Sequence, residues 1–374
     1  MTFKELNISR SVMKALEEKK YALVTPIQQQ AIPVGLTGRD ILGIAQTGTG
    51  KTAAFAIPII EQLAAVSIKG GSCPIRALIL TPTRELAIQI DEAFTDYGKY
   101  TRLRHTVIYG GVPQNSQVRM LKSGVDILIA TPGRLLDLIK QGFVHLQSVT
   151  HLVLDEADRM LDMGFIHDVR TLVPMLPKER QTMLFSATMP AGVEKISKTL
   201  LRNPKKVEVT PEASVVDTIE QNLFMVEKMN KIGLLLNVLD SQYGKSVLIF
   251  SRTKHGADKI AKTLNQHKIR CEAIHGNKSQ NARQTALKDM KTGRIHIIVA
   301  TDIAARGIDI ANLGVVINYD IPEVAETYVH RIGRTGRAGN TGIAFSFCSK
   351  EEYGLLNDIQ HLTGRKIPTL AVPA

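Results

Sequence analysis

Short apolar runs recur along this chain, separated by longer amphipathic stretches, and the alternation breaks once, near Asn203. In the first half the runs are Ile41–Ala45, Ala77–Leu80, Thr106–Tyr109, Ile127–Ala130, Leu152–Leu154 and Thr182–Phe185. They resume as Leu223–Val226, Val247–Phe250, Glu272–Ile274, Ile297–Ala300, Val315–Asn318 and Ile343–Phe347. Stretches of helical period lie between them, such as Arg84–Tyr100, Ile166–Met175, Thr253–His267 and Gln280–Met290. Buried runs alternating with helices imply parallel sheets covered on both faces, an α/β fold. At 374 residues the chain exceeds one comfortable core. Asn203–Asp217 is polar and carries two prolines. We therefore expect similar domains at residues 1–205 and 218–374, joined by a linker at 206–217.

No run of about 18 apolar residues exists, and even Ala53–Val66 is broken by Glu61, which argues against a membrane span. The opening MTFKELNISRSVMKALEE lacks the apolar core of a signal peptide. Cys73, Cys271 and Cys348 are far apart with no metal-ligand spacing, as fits a reducing cytoplasm. The formal charge is +12 and uneven: Ser241–Ala300 holds 12 Lys or Arg against 3 Asp or Glu. That basic stretch suits a phosphate backbone, or else is a solvated surface.

The strongest local signal is Ala45-Gln46-Thr47-Gly48-Thr49-Gly50-Lys51-Thr52, after one apolar run and before a helix at Thr52–Gln62. This is the context of a phosphate loop: glycines let backbone N–H groups approach phosphate oxygens at a helix N-terminus. Lys51 would reach the β- and γ-phosphates of ATP, and the Thr52 hydroxyl would ligate Mg²⁺. Ala45 stands where the generic pattern has glycine. Gly244-Lys245-Ser246 precedes a strand instead of following one and reads as a turn. Asp155-Glu156-Ala157-Asp158 ends the run His151–Leu154. Carboxylates there face a ligand crevice, where Asp155 can hold Mg²⁺ through water and Glu156 can orient or deprotonate the attacking water. His330-Arg331-Ile332-Gly333-Arg334-Thr335-Gly336-Arg337 places three arginines among glycines, poor material for a core or helix face. Arginine suits a spread transition-state charge, though an RNA-phosphate site or a surface loop fits the pattern too. If Lys51 and Arg334 touch one γ-phosphate, the domains must close on ATP.

In combination and order these motifs resemble the DEAD-box ATP-dependent RNA helicases, most nearly the bacterial RhlE-like group. The resemblance covers nearly the whole chain. It implies two RecA-like domains of helicase superfamily 2, with ATP and Mg²⁺ as cofactors and RNA as partner. It implies that Gln28 reads both the donor and the acceptor of the adenine edge, that Tyr21 stacks on the ring, and that Phe3 supports them. These residues belong to a Q-motif-like stretch, Lys20 to Gln28, which includes Thr25; Lys20 replaces the usual Gly and Val24 the usual Pro. From the residues alone, Pro26-Ile27-Gln28 is merely a helix start. Ser186-Ala187-Thr188 resembles the motif that couples hydrolysis to strand separation, and is also an ordinary helix cap. Gly307 and Asp309 match the ribose-binding segment, His330 a link to the acidic run, and Arg334 and Arg337 the arginine fingers. Pro82, Thr83, Arg84, Gly110, Gly111, Thr131, Pro132, Gly133 and Arg134 match the first-domain RNA motifs. Arg252, Arg283 and Thr301 match those of the second. The helix from Arg134 is implied to bend the strand.

No aromatic ladder stacks successive bases, so backbone recognition with little sequence preference is expected. The resulting reading is an RNA-stimulated ATPase, monomeric and cytoplasmic, that opens short duplexes locally. Ribosome assembly or RNA decay, with their proteins as partners, would employ such a core. The rival readings are an ATP-gated RNA clamp with incidental unwinding, and a DNA helicase.

Overall fold

The computed structural model describes residues 1–46, 48–66, 73–209, 219–305, 313–336 and 342–372. Two compact units divide the chain, residues 1–210 and 211–374.

In the first unit the strands are β1 (Ile41–Ile44), β2 (Ala77–Leu80), β3 (His105–Ile108), β4 (Ile127–Ala130), β5 (His151–Leu154), β6 (Gln181–Ser186) and β7 (Lys205–Glu208). They form one sheet in the order β3-β4-β2-β5-β6-β1-β7, parallel throughout. Successive side chains of a strand point to opposite faces. Ile79, Ile127, Ile129 and Val153 accordingly pack under α1 (Arg10–Glu18), α2 (Pro26–Leu36), α3 (Lys51–Ala65) and α4 (Arg84–Tyr97). Leu78, Leu80, Leu128 and Leu152 pack on the other face. They lie under α5 (Asn115–Lys122), α6 (Pro132–Lys140), α7 (Ala157–Asp162), α8 (Ile166–Leu172) and α9 (Ala191–Leu200). Burial on both faces is why β2 reads Ala-Leu-Ile-Leu and β4 Ile-Leu-Ile-Ala, with no polar alternation.

The second unit repeats the plan. Its strands are β8 (Ile219–Met225), β9 (Val247–Phe250), β10 (Cys271–Ile274), β11 (Ile297–Ala300), β12 (Val315–Asn318), β13 (Gly342–Cys348) and β14 (Thr369–Leu370). Their order is β10-β11-β9-β12-β13-β8-β14, again parallel. Numbered from its own first strand, each sheet runs 3-4-2-5-6-1-7. Val247, Ile249, Val299 and Ile317 pack with α10 (Lys231–Ser241) and α11 (Lys254–Gln266). On the opposite side Leu248 and Ile298 pack with α12 (Gln280–Lys291) and α13 (Asp302–Ala305). Beyond them Leu223 and Ala344 pack with α14 (Ala325–Ile332) and α15 (Tyr353–Thr363).

The start of the linker needs correcting. Residues 206–208 belong to β7, which pairs with β1, Ile41 lying opposite Lys205. Of Lys205–Glu208 only Val207 is buried, so no apolar run marks the strand. Lysines there suit an edge, where charge deters pairing with other chains. Both residues of β14 are exposed, and it escapes the pattern for the same reason. Residues 210–217 of the expected linker lie outside the described residues. Gly244-Lys245-Ser246 forms a turn ahead of β9, with Gly244 at φ 81°.

Candidate active site

All strands of a parallel sheet point one way, so the loops after them gather along one edge. In the first unit every motif singled out from the sequence, except the Phe3–Gln28 group, follows a strand's carboxyl end. Residues 45–52 follow β1, 82–84 follow β2, 110–111 follow β3, 131–134 follow β4, 155–158 follow β5, and 186–188 close β6. Sheet order then sorts them. The loops of β5, β6 and β1 are neighbours, and those of β3, β4 and β2 form the other half of the edge.

The β5-β6-β1 half carries the phosphate loop and the carboxylates. Lys51 is buried and its Nζ donates to the Ala45 carbonyl at 2.7 Å. The Thr49 hydroxyl donates to the Gln46 carbonyl at 2.7 Å, while Gly48 lies at φ 86° and Thr52 is half-buried. Gly50 caps α3 in the left-handed region, φ 91°. A Cβ at Gly50 would stand 2.3 Å from Gln28 Nε2. Gln28 is thereby clamped to the loop, donating through Nε2 to the Gly50 carbonyl at 3.2 Å and accepting from the Thr25 N–H at 3.0 Å. An amide has two donors and two lone pairs, so one of each remains for a ligand edge. Thr25 and Gln28 close a capping box at the start of α2, with Thr25 Oγ1 buried beside the clamp. Tyr21 is 48% exposed, its ring 6.2 Å from that of Tyr97. Phe3 is buried in the core under α1 to α4. Lys20 sits at φ 58°, a left-handed position that accounts for the glycine of the family pattern.

Asp155 is 2% exposed at the end of β5. Burial pushes its carboxyl up to about 6; nearby Lys51 pulls the other way, and Glu156 adds to the rise. A divalent cation held against this under-compensated carboxylate would relieve it, which fits Mg²⁺ at Asp155 and the Thr52 hydroxyl. Glu156 caps α7 at φ 55°, ψ 53°, a conformation unfavourable for a residue with a Cβ. It is buried, its Oε2 accepts no hydrogen bond among the described residues, and Arg159 Nε stands 3.5 Å away. Asp158 has no role in the sequence reading, yet it joins β5 to β6. Its Oδ2 accepts from the Thr188 N–H and Oγ1, both at 3.0 Å, and from the Ala187 N–H at 3.2 Å. Its own N–H donates to Ser186 Oγ at 3.1 Å. Ser186 and Thr188 are thus tied to the acidic run, and the hydroxyl pair was the one signal that could have singled out Asp158.

The β3-β4-β2 half offers hydroxyls, glycines and arginines. Thr83 caps α4, its Oγ1 accepting the Leu86 N–H at 3.3 Å after Pro82. Arg84 lies over Gly111, at φ 76°, where a Cβ would meet its guanidinium at 2.3 Å. Thr131 and Pro132 start α6, and Gly133 is exposed in its first turn. Arg134 Nη2 donates to the Val112 carbonyl at 3.0 Å, and its buried Nη1 has no partner among the described residues. Gly110 has open space where a Cβ would point. Backbone N–H groups at two helix starts, with close-approach glycines, suit phosphate oxygens.

In the second unit Ser251–Thr253 follow β9 and Thr301 follows β11, its neighbour in the sheet. Gln280 and Arg283 lie on the first turn of α12. Of the clustered arginines, Arg331 is structural. It is 1% exposed and grips Asp302 through Nη2 at 2.8 Å and Nε at 2.5 Å, 5.0 Å from the Phe250 ring. Its Nη1 donates to the Asp320 carbonyl at 2.6 Å. His330 is half-buried on α14, and Arg334 is buried two residues past its end. Thr47, Gly307, Asp309 and Arg337 lie outside the described residues.

The DEAD/DEAH box helicase family model matches residues 25–196, and the helicase conserved C-terminal domain matches residues 230–339. The chain is 44% identical to the DEAD-box ATP-dependent RNA helicase CshA of Geobacillus kaustophilus, over 100% of this chain and 79% of that protein. With the CshA of Bacillus subtilis it shares 43%, over 100% and 74%. These relatives carry the CshA name and lend no support to the RhlE-like grouping. Among solved structures, S. cerevisiae Dbp5 bound to RNA and ADP BeF3 superposes with a TM-score of 0.85 at 30% identity, covering 99% of this chain and 95% of that one. A DEAD box protein from the hyperthermophile Methanococcus jannaschii is 37% identical over 99% of each chain, with a TM-score of 0.56.

Proposed function

The chain belongs to the DEAD-box helicase family, and on that footing we propose a mechanism for it as an ATP-dependent RNA helicase. ATP lies on the phosphate loop with Gln28 and Thr25 on its adenine edge and Tyr21 against the ring. Lys51, freed from the Ala45 carbonyl, turns to the β- and γ-phosphates. Asp155 and Thr52 would hold Mg²⁺, which would supply charge neutralisation at the phosphate oxygens. Glu156, its Oε2 flanked by Arg159 at 3.5 Å, orients the attacking water and draws off its proton. Arg334 and Arg337 stabilise the charge that spreads over the transferred phosphoryl group, and Gly307 and Asp309 hold the ribose. No residue of the first unit takes the arginines' part in this reading, so hydrolysis requires both units on one nucleotide.

RNA runs along the backbone N–H groups, hydroxyls and arginines at Thr83, Arg84, Gly111, Thr131, Gly133 and Arg134, and at Arg252, Arg283 and Thr301. Recognition through phosphates gives little sequence preference. The observation that carries this reading is the sorting of one sheet edge into two halves, with Asp158, Ser186 and Thr188 bridging β5 and β6 in the nucleotide half. His330 would extend that bridge to the second unit. The chain acts in the cytoplasm as a monomer, in ribosome assembly or RNA decay. Among the described residues no helix is long and apolar enough to cross a membrane.

An ATP-gated clamp with incidental unwinding is the alternative. Release of a short RNA duplex separates the two, measured with ATP, with a non-hydrolysable analogue and without nucleotide. The helicase reading expects multiple-turnover release with ATP alone. Equal multiple-turnover release with the analogue would favour the clamp.

A further inference from the structure

Glu352 closes a short turn after β13 and is 6% exposed. Its Oε1 accepts from Arg252 Nη2 at 2.7 Å and from the Ile321 N–H at 3.2 Å. Its Oε2 accepts from Lys231 Nζ at 2.7 Å and from the Ser349 N–H at 3.1 Å. A carboxylate has about four lone-pair sites, and all are used. Lys231 is 2% exposed at the start of α10. Its Nζ also donates to the Tyr319 carbonyl at 2.8 Å and lies 3.7 Å from Asp320 Oδ1. Burying two opposite charges rarely adds stability over apolar residues of similar volume. The pair therefore calls for another explanation, and Arg252 supplies it.

Arg252 follows β9. Its Nη2 is committed to Glu352 and to the Ile321 carbonyl at 2.9 Å, and its backbone N–H to Asp320 Oδ2 at 2.9 Å. The side chain is nevertheless 37% exposed. A guanidinium has five N–H donors; with Nη2 fixed and Nε 3.9 Å from the exposed Glu323 Oε1, Nη1 remains without a partner among the described residues. A fork held this way loses little rotamer freedom when it meets a phosphate. We propose that Lys231 and Glu352 are positioning residues for RNA binding: Lys231 fixes Glu352, and Glu352 fixes the guanidinium of Arg252 toward the phosphate backbone. The inference rests on reading Arg252 as an RNA contact. Neither Lys231 nor Glu352, 121 residues apart, falls in any motif recognised from the sequence.

The test is a double-substitution cycle in the full chain, R252A, E352Q and R252A/E352Q. Its readouts are the RNA concentration for half-maximal ATPase stimulation, kcat at saturating RNA, KM for ATP and the melting temperature. R252A should raise the half-maximal RNA concentration about tenfold, the loss of one good phosphate contact. E352Q should raise it several-fold with kcat and KM for ATP unchanged, and should add nothing further in the R252A background. If E352Q fails to fold, K231M/E352Q leaves no lone buried charge and enters the cycle in its place, with the same expectation. An unchanged RNA response to R252A removes Arg252 as an RNA contact and the inference with it. If R252A weakens RNA binding while E352Q lowers only the melting temperature, or acts equally in both backgrounds, the inference alone falls.

Discussion

Asp155 sits at the end of β5 with its carboxyl pushed up to about 6 by burial, against an ordinary value of 3.8. Between those values the folded chain keeps a proton that the unfolded chain has lost. Stability therefore falls as pH rises from about 4 to 6 and stays reduced above it, by on the order of 2–3 kcal/mol from this group. D155N removes the buried charge. In chelator and without nucleotide it should melt several degrees above the parent at pH 8, the gap closing toward pH 4, while its ATPase is lost. A variant that melts lower at every pH would make Asp155 a structural anchor. The same scale shows what the residues did and did not announce. Lys51 stands out because Gly-Lys-Thr between a strand and a helix has few other uses, and Glu156 because that loop lies upstream of it, an acidic cluster alone being usually a solvated turn. Gln28 does not, because its clamp to Gly50 joins residues 22 apart across a turn whose geometry no local pattern encodes. Arg331 looked like its neighbours Arg334 and Arg337 until Asp302 was seen against it.

The phosphate loop and the Q-motif-like turn interlock as elements. Gly50 is needed twice, for φ 91° at the start of α3 and for the space that Gln28 Nε2 occupies. G50A should therefore raise KM for ATP at least tenfold and destabilise the first unit by about 1–3 kcal/mol. Parent-like ATP affinity would uncouple the two elements. Strand recognition followed burial. β2, β4, β9, β11 and β12 are buried at every residue and were located to the residue. The edge strands β7 and β14 face solvent, carry charge or only two residues, and leave no apolar run to find. The helix Arg84–Tyr97 stops short of the expected Tyr100 because Gly98 follows it.

At the scale of the whole molecule, one strand order serves twice, with different chemistry on each carboxyl edge. The first unit carries the phosphate loop and carboxylates, and the second carries arginines and no phosphate loop. Alternating runs revealed two similar units, but strand order was beyond them, since short parallel strands carry no partner signal. The division of labour makes the central claim that neither unit completes the reaction unaided. Each has apolar cores of its own, so residues 1–210 can be prepared apart from the rest. The decisive measurement is ATP hydrolysis by that unit with saturating RNA, beside the full chain. The account predicts retained ATP binding with a turnover lower by about 10³ or more, the scale of a missing arginine finger. Turnover equal to that of the full chain would contradict it.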